Sequence, residues 1–219
     1  MSPFKKEVGL IFMLTLVFCF CSPSPKNIII LCAGDSITEV GYPRYLQKIL
    51  KNEGIQAKIL NRGKSGHNSQ EYLTFLDKNR EALSETSPDF VLLQLGTNDV
   101  RIDHDRTSAN DFYDNMKQII ALLRRLRTRT GKVPFILLAS IPPVPEDIPF
   151  PFAPESGKRV EEEINPLIQK IALEEKVPLV DNHSLFLQSP HLLPDIHPSQ
   201  EGYKALAQNW FKALKKEGM

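Results

Sequence analysis

Ile28-Ile29-Ile30-Leu31-Cys32-Ala33-Gly34-Asp35-Ser36-Ile37-Thr38 is the stretch that decides the fold. Six apolar residues in a row, with no polar alternation, mark a strand buried on both faces. The turn residues Gly34, Asp35 and Ser36 follow at once, so a serine stands at the C-terminal end of that strand. Strands buried on both faces belong to parallel sheets covered by helices. In open sheets of this kind the strand ends open into a crevice beside helix N-termini, where sites form. Gly-Asp-Ser also makes ordinary turns, so its weight depends on the rest of the chain.

Outward from this strand the pattern alternates. Helical spacing over 42–52 puts Tyr45, Leu46, Ile49 and Leu50 on one side, and Gly54 stops it. A second strand is expected over 57–61, a helix over 69–80 or a little beyond, and a third strand over 90–95 after Pro88. A long amphipathic helix over 109–128 ends before Gly131, and a fourth strand covers 134–140. Residues 160–175 read as helix, with Pro166 as a potential kink. A short fifth strand begins at 178–180, and a last helix over 199–215 carries Tyr203, Leu206, Trp210 and Leu214. Residues 141–157, with prolines at 142, 143, 145, 149, 151 and 154, read as a loop on the edge that carries the strand ends. The alternation implies parallel pairing and right-handed crossovers, hence an α/β fold, a three-layer α/β/α sandwich on a five-stranded parallel sheet.

The 219 residues divide into a leader over 1–25 and one domain over 26–219. Lys5 and Lys6 precede an apolar stretch from Val8 to Cys21, and Ser22-Pro23-Ser24-Pro25 ends it. That stretch is short for a membrane span and right for a signal-peptide core. Leu16-Val17-Phe18-Cys19 and Phe18-Cys19-Phe20-Cys21 each resemble a loose bacterial lipoprotein box, which implies lipidation of Cys19 or Cys21 and a membrane-tethered protein of the cell envelope. An uncleaved anchor would tether the domain equally. Of three cysteines only Cys32 lies in the domain, inside a buried strand, where it acts as a small apolar residue. A net charge of +1 and the lack of a basic patch interleaved with aromatics give no reason to expect nucleic acid. The basic run over 124–129 is expected to end a helix, where cations suit the dipole.

Three further signals follow the first, each where a strand or loop should end: Asn61-Arg62-Gly63-Lys64-Ser65-Gly66, Gly96-Thr97-Asn98-Asp99, and Asp195-Ile196-His197-Pro198. With Gly34-Asp35-Ser36, the four blocks in this order resemble the SGNH (GDSL-type) family of serine esterases and lipases, from Ile28 to about Phe211. The resemblance implies the flavodoxin-like strand order 2-1-3-4-5. It also implies Ser36 as nucleophile and His197 as its base. The oxyanion donors it implies are the backbone N–H of Ser36 and of Gly66 and the side-chain amide of Asn98. Gly63 then forms the turn, and Asp99 holds the loop.

These residue types suit acyl transfer. A serine hydroxyl becomes nucleophilic when a histidine takes its proton, and a carboxylate fixes the imidazole tautomer. Donors must then face the developing oxyanion. The family places its aspartate three residues before the histidine, but here that position is Pro194. Either Asp195 supplies the carboxylate through a shortened loop, or another acid such as Asp181, or a backbone carbonyl, orients the ring. His67, His104, His183 and His191 lack the motif context; His67 could line the pocket, and His104 should be exposed. No Gly-x-Ser-x-Gly elbow, phosphate-binding glycine loop, His-Glu-x-x-His or paired-cysteine spacing occurs, so no cofactor and no metal are expected. The expected activity is metal-independent hydrolysis of a lipid, glycan or other small-molecule ester. The alternatives are acyl transfer to an alcohol, or a non-catalytic glycan- or lipid-binding protein. Ile148, Phe150, Pro151 and Phe152 could form an apolar lip for an acyl chain or pack over the core edge.

Overall fold

The computed structural model describes residues 27–219, so the expected leader over 1–25 lies outside the described residues. Five parallel strands form one sheet in the order β2-β1-β3-β4-β5, as the resemblance implies. They are β1 (Ile28–Gly34), β2 (Ala57–Gly63), β3 (Phe90–Gln94), β4 (Phe135–Ala139) and β5 (Leu179–Val180). Between and after them run α1 (Ser36–Val40), α2 (Tyr42–Asn52), α3 (Ser69–Lys78), α4 (Arg80–Ser84), α5 (Ala109–Leu123), α6 (Pro154–Arg159), α7 (Asn165–Glu174), α8 (His183–Leu187) and α9 (Gln200–Lys216).

The two-residue period of the strands sorts the core into two layers. Leu31, Ala33, Val91, Leu93, Ile136 and Leu138 face one side, where α3, α5 and α7 supply Tyr72, Leu76, Phe112, Ile119, Ile168 and Ile171. Ile30, Cys32, Leu92, Leu137 and Ala139 face the other, against Tyr42, Leu46 and Leu50 of α2 and Leu206, Trp210 and Leu214 of α9. Fully burying side chains of this kind contributes roughly 1.5–3 kcal/mol each. Tyr42 and Trp210 stack at 5.8 Å and lock α2 to α9.

Several boundaries differ from the sequence expectation, each for a local reason. The long helix ends at Leu123 rather than 128. Past its end Arg127 donates to the carbonyls of Arg124, Arg125 and Leu126 at 2.9, 3.1 and 2.8 Å, taking up main-chain acceptors beyond the helix. The basic run therefore follows the helix instead of ending it, and Arg124 pairs with Glu175. The helix expected over 69–80 breaks at Asn79, whose side chain donates to the Phe75 carbonyl at 2.7 Å. Residues 154–157 are helical, not loop, because Pro154 occupies a first-turn position where its missing N–H leaves no bond unmade. Pro166 does the same in α7, and a π-turn over Val160–Ile164 precedes it in place of a kink. The five-residue helices α1 and α8 are too short to show a period.

Candidate active site

All four sequence blocks lie on the C-terminal edge of the sheet, while the chain enters β1 at the opposite edge. Asp35 ends the first turn as N-cap of α1, with its Oδ1 accepting from Ile37 N–H at 3.0 Å. Its carboxyl is fully buried, and that burial pushes its pKa up to about 6, against the bond from Ile37. Ser36 is the first residue of α1, and its backbone N–H meets no protein acceptor among the described residues.

The second block is clasped to α1. Asn61 Nδ2 donates to the carbonyls of Thr38 and Glu39 at 3.2 and 2.8 Å, and the Glu39 carboxylate accepts Ser65 N–H at 2.8 Å. The Ser65 bonds hold the Glu39 carboxyl below its ordinary range. A Cβ at Gly63 would lie 2.2 Å from the Glu39 nitrogen, so only glycine lets the two segments meet. Gly63 is thus the last strand residue and a point of close approach, not the turn-former expected from sequence. The positive φ of 79° falls instead at Gly66, whose N–H meets no protein acceptor among the described residues. Asn68 then starts α3 with a reciprocal capping box to Glu71.

Asn98 opens a short 3₁₀ turn over Asn98–Val100, and its Nδ2 donates to the His67 carbonyl at 3.0 Å. One amide hydrogen is so committed and the other stays available. Beside it, Asp99 is fully buried. Its carboxylate takes Ser69 N–H at 3.0 Å, Ser69 Oγ–H at 2.6 Å and Thr107 Oγ1–H at 2.6 Å. Burial still raises its pKa, against those bonds and the nearby Arg159 charge. Asp99 holds the loop. Ser69, Thr107, Asn115 and Arg159, which complete this network, carry no motif in the sequence; only the Asn68-Ser69 helix start is a local signal for any of them.

The last block brings His197 to the serine: its Nε2 lies 2.9 Å from Ser36 Oγ. The Nδ1 of the same ring is 3.6 Å from Asp195 Oδ1, outside hydrogen-bond range. That oxygen instead accepts the His197 backbone N–H at 2.6 Å, which is what the two-residue spacing permits. Asp195 and His197 are both exposed. Ser199 caps α9 just beyond, accepting Gly202 N–H at 3.1 Å. Asp181 is engaged elsewhere, its Oδ1 accepting from Ser140 Oγ–H at 3.2 Å and Ser184 N–H at 2.9 Å. His104 is exposed, and His183 is tucked between the Ile141 carbonyl and Glu161. His67 contributes its carbonyl to Asn98 while its ring meets the edge of Phe75. In the proline-rich loop Phe152 and Ile148 pack on the core, and Phe150 alone of the aromatics is 73 % exposed. Among the described residues no group of three or more His, Cys, Asp or Glu could hold a metal ion, and no helix is long and apolar enough to cross a membrane.

The model of the GDSL-like Lipase/Acylhydrolase family matches residues 32–205. A curated acetylxylan esterase of Xylanibacter ruminicola is 29% identical over 88% of this chain, which spans 45% of that relative's length. An acetyl-xylooligosaccharide esterase from Geobacillus superposes with a TM-score of 0.69 at 19% identity, over 86% of this chain and 94% of that one. An aryl esterase of M. smegmatis does so with a TM-score of 0.68 at 20% identity, over 86% of this chain and 99% of the other. These two share the fold: an α/β sandwich on a parallel sheet of order 2-1-3-4-5. With four-fifths of its length matched by the family model and every family block on one sheet edge, the chain belongs to the GDSL-like lipase/acylhydrolase family of carboxylic ester hydrolases.

Proposed function

We propose that this chain hydrolyses esters through an acyl-enzyme on Ser36. The observation that carries the reading is the 2.9 Å contact from His197 Nε2 to Ser36 Oγ, with free N–H groups of Ser36, Gly66 and Asn98 on the same edge. His197 takes the Ser36 proton as Oγ bonds to the acyl carbon. The carbonyl oxygen gains the electron pair and is held by the three donors. As the tetrahedral intermediate collapses, the bond to the alcohol oxygen breaks and His197 protonates the leaving alcohol. Water, deprotonated by the same ring, then attacks the acyl carbon and releases the acid and Ser36. Asp195 supports the imidazolium electrostatically from 3.6 Å and fixes the loop through the His197 N–H.

For the substrate we propose an acetylated carbohydrate, because the curated relative acts on acetylxylan. A non-catalytic binding protein would have been supported by a His197 out of reach of the serine; the short contact favours the enzyme. We also propose that the domain over 26–219 follows a lipoprotein leader that tethers it in the cell envelope.

The test is turnover of chromogenic esters from acetyl to long acyl, an acetylated xylo-oligosaccharide and a lysophospholipid, with Ser36→Ala as control. Serine-dependent turnover that favours acetyl esters and the oligosaccharide is expected. A long-acyl or lysophospholipid preference would overturn the substrate, and no turnover from folded protein would overturn the enzyme. Membrane fractionation of the full chain beside Cys19→Ser and Cys21→Ser tests the tether, which is expected to fail in one of the two.

A further inference from the structure

Arg159 closes α6 and is 3 % exposed. Removing a guanidinium from water is unfavourable unless its donors are matched. Here Nη1 donates to the Asp99 carbonyl at 2.7 Å and Nη2 to the Thr107 carbonyl at 2.8 Å, while Nε faces Glu163 at 2.9 Å. The planar fork therefore bridges two main-chain carbonyls from the two ends of one loop, a geometry that a lysine ammonium cannot reproduce.

Asn98 is the residue immediately before the first of those ends, in the same 3₁₀ turn as Asp99. The ends of the loop are already joined from within, since Thr107 N–H reaches the Asp99 carbonyl at 3.3 Å and Thr107 Oγ1–H reaches the Asp99 carboxylate. Arg159 ties the same two ends from the helix side. The π-turn over Val160–Ile164 begins at the next residue. It separates the helical turn that aims Arg159 at the loop from α7, which buries Ile168 and Ile171 in the core. π-turns inside helices often mark functional positions.

We infer that Arg159 is a positioning residue for ester hydrolysis: it fixes the loop so that the free amide hydrogen of Asn98 meets the oxyanion. This rests on the oxyanion role given to Asn98 above. Arg159 touches neither substrate nor nucleophile; it acts through Asn98, whose other amide hydrogen is committed to His67.

The test is a double-mutant cycle on kcat and KM for a chromogenic acetate, using the full chain, Arg159→Lys, Asn98→Ala and the double variant, with thermal unfolding of each. Arg159→Lys is expected to lower kcat by roughly tenfold with KM little changed, since small displacements of a reacting group cost up to about 10²-fold. In the Asn98→Ala background the same substitution should change kcat by less than about twofold, because residues that act as a unit are not additive. Glu163→Gln, which leaves both carbonyl bonds in place, should keep the parent kcat. If Arg159→Lys does not fold, Arg159→Gln, which is too short to make either carbonyl bond and buries no charge, takes its place in the cycle. Equal losses in both backgrounds, or no loss in the parent, would overturn the inference while leaving Asn98 in its role. An Asn98→Ala protein with undiminished kcat would remove the oxyanion reading itself, and this inference with it.

Discussion

Two aspartates stand near Asn98 and His197, the side chains proposed to act on the ester, and they are held in opposite ways. Asp99, beside Asn98, is buried and accepts three donors from Ser69 and Thr107. Asp195, two residues from His197, is exposed and makes one short bond, to a backbone N–H. On the proposed reading, the oxyanion side is thus built into the fold, while the acid–base side rides on a short surface loop. Preorganised donors keep their worth because they need no rearrangement during the reaction. An exposed carboxylate at 3.6 Å is screened by water and contributes less.

The comparison breaks first at the residue where both sides converge. Ser36→Ala should remove essentially all ester turnover, a loss on the order of 10⁶ in kcat, without unfolding the domain. Residual serine-independent turnover at the parent rate would place the nucleophile elsewhere. On the built side, Asn98→Ala is expected to lower kcat by roughly 10²-fold or more, the usual result of deleting one oxyanion donor. On the loop side, Asp195→Asn should cost about tenfold, well below the roughly 10⁴-fold found where the triad acid is buried and bonded to the ring. Asp181→Asn should cost less still, since Asp181 serves the start of α8. A larger loss from Asp181→Asn than from Asp195→Asn would invert the assignment of the acid.

The smallest effect concerns stability. The Asp35 carboxyl is raised from an ordinary 3.8 to about 6 by burial. Between those values the folded chain binds the proton more tightly than the unfolded chain, so this group lowers stability as pH rises, and the deficit is complete above about 6. Asp35→Asn keeps the Oδ1 that caps α1 and lacks the titration. Its Tm relative to the parent should therefore rise by a few degrees between about pH 4 and pH 7. A pH-independent difference would show that Asp35 does not carry the buried titration.

The contrast between the two aspartates also explains what could be read from the sequence. The strands, the four blocks and their common edge were legible because apolar runs and strand-end turns are local patterns; the order of the strands came from the family resemblance alone. The meeting of His197 with Ser36 follows from the family order of the blocks. Arg159 was not legible: it lies 60 positions from the Asp99 carbonyl it holds, in a segment whose helical pattern is interrupted by a π-turn. Gly63 was misread because a close approach to Glu39 and a positive φ leave the same residue in the sequence. The loop around Phe150 held two answers at once, with Phe152 and Ile148 inside and Phe150 outside.

One consequence lies in the direction of β1. Residue 27 leads into one edge of the sheet and Ser36 leaves by the other, seven strand residues away, or roughly 23 Å at 3.3 Å per residue. A bead, a fusion partner or a lipid layer that gripped the domain at residue 27 itself would hold it with the Ser36 edge turned outward. A long branched polymer in the medium could then reach that edge directly. An ester packed in the gripping surface itself would require the domain to roll over on its leash.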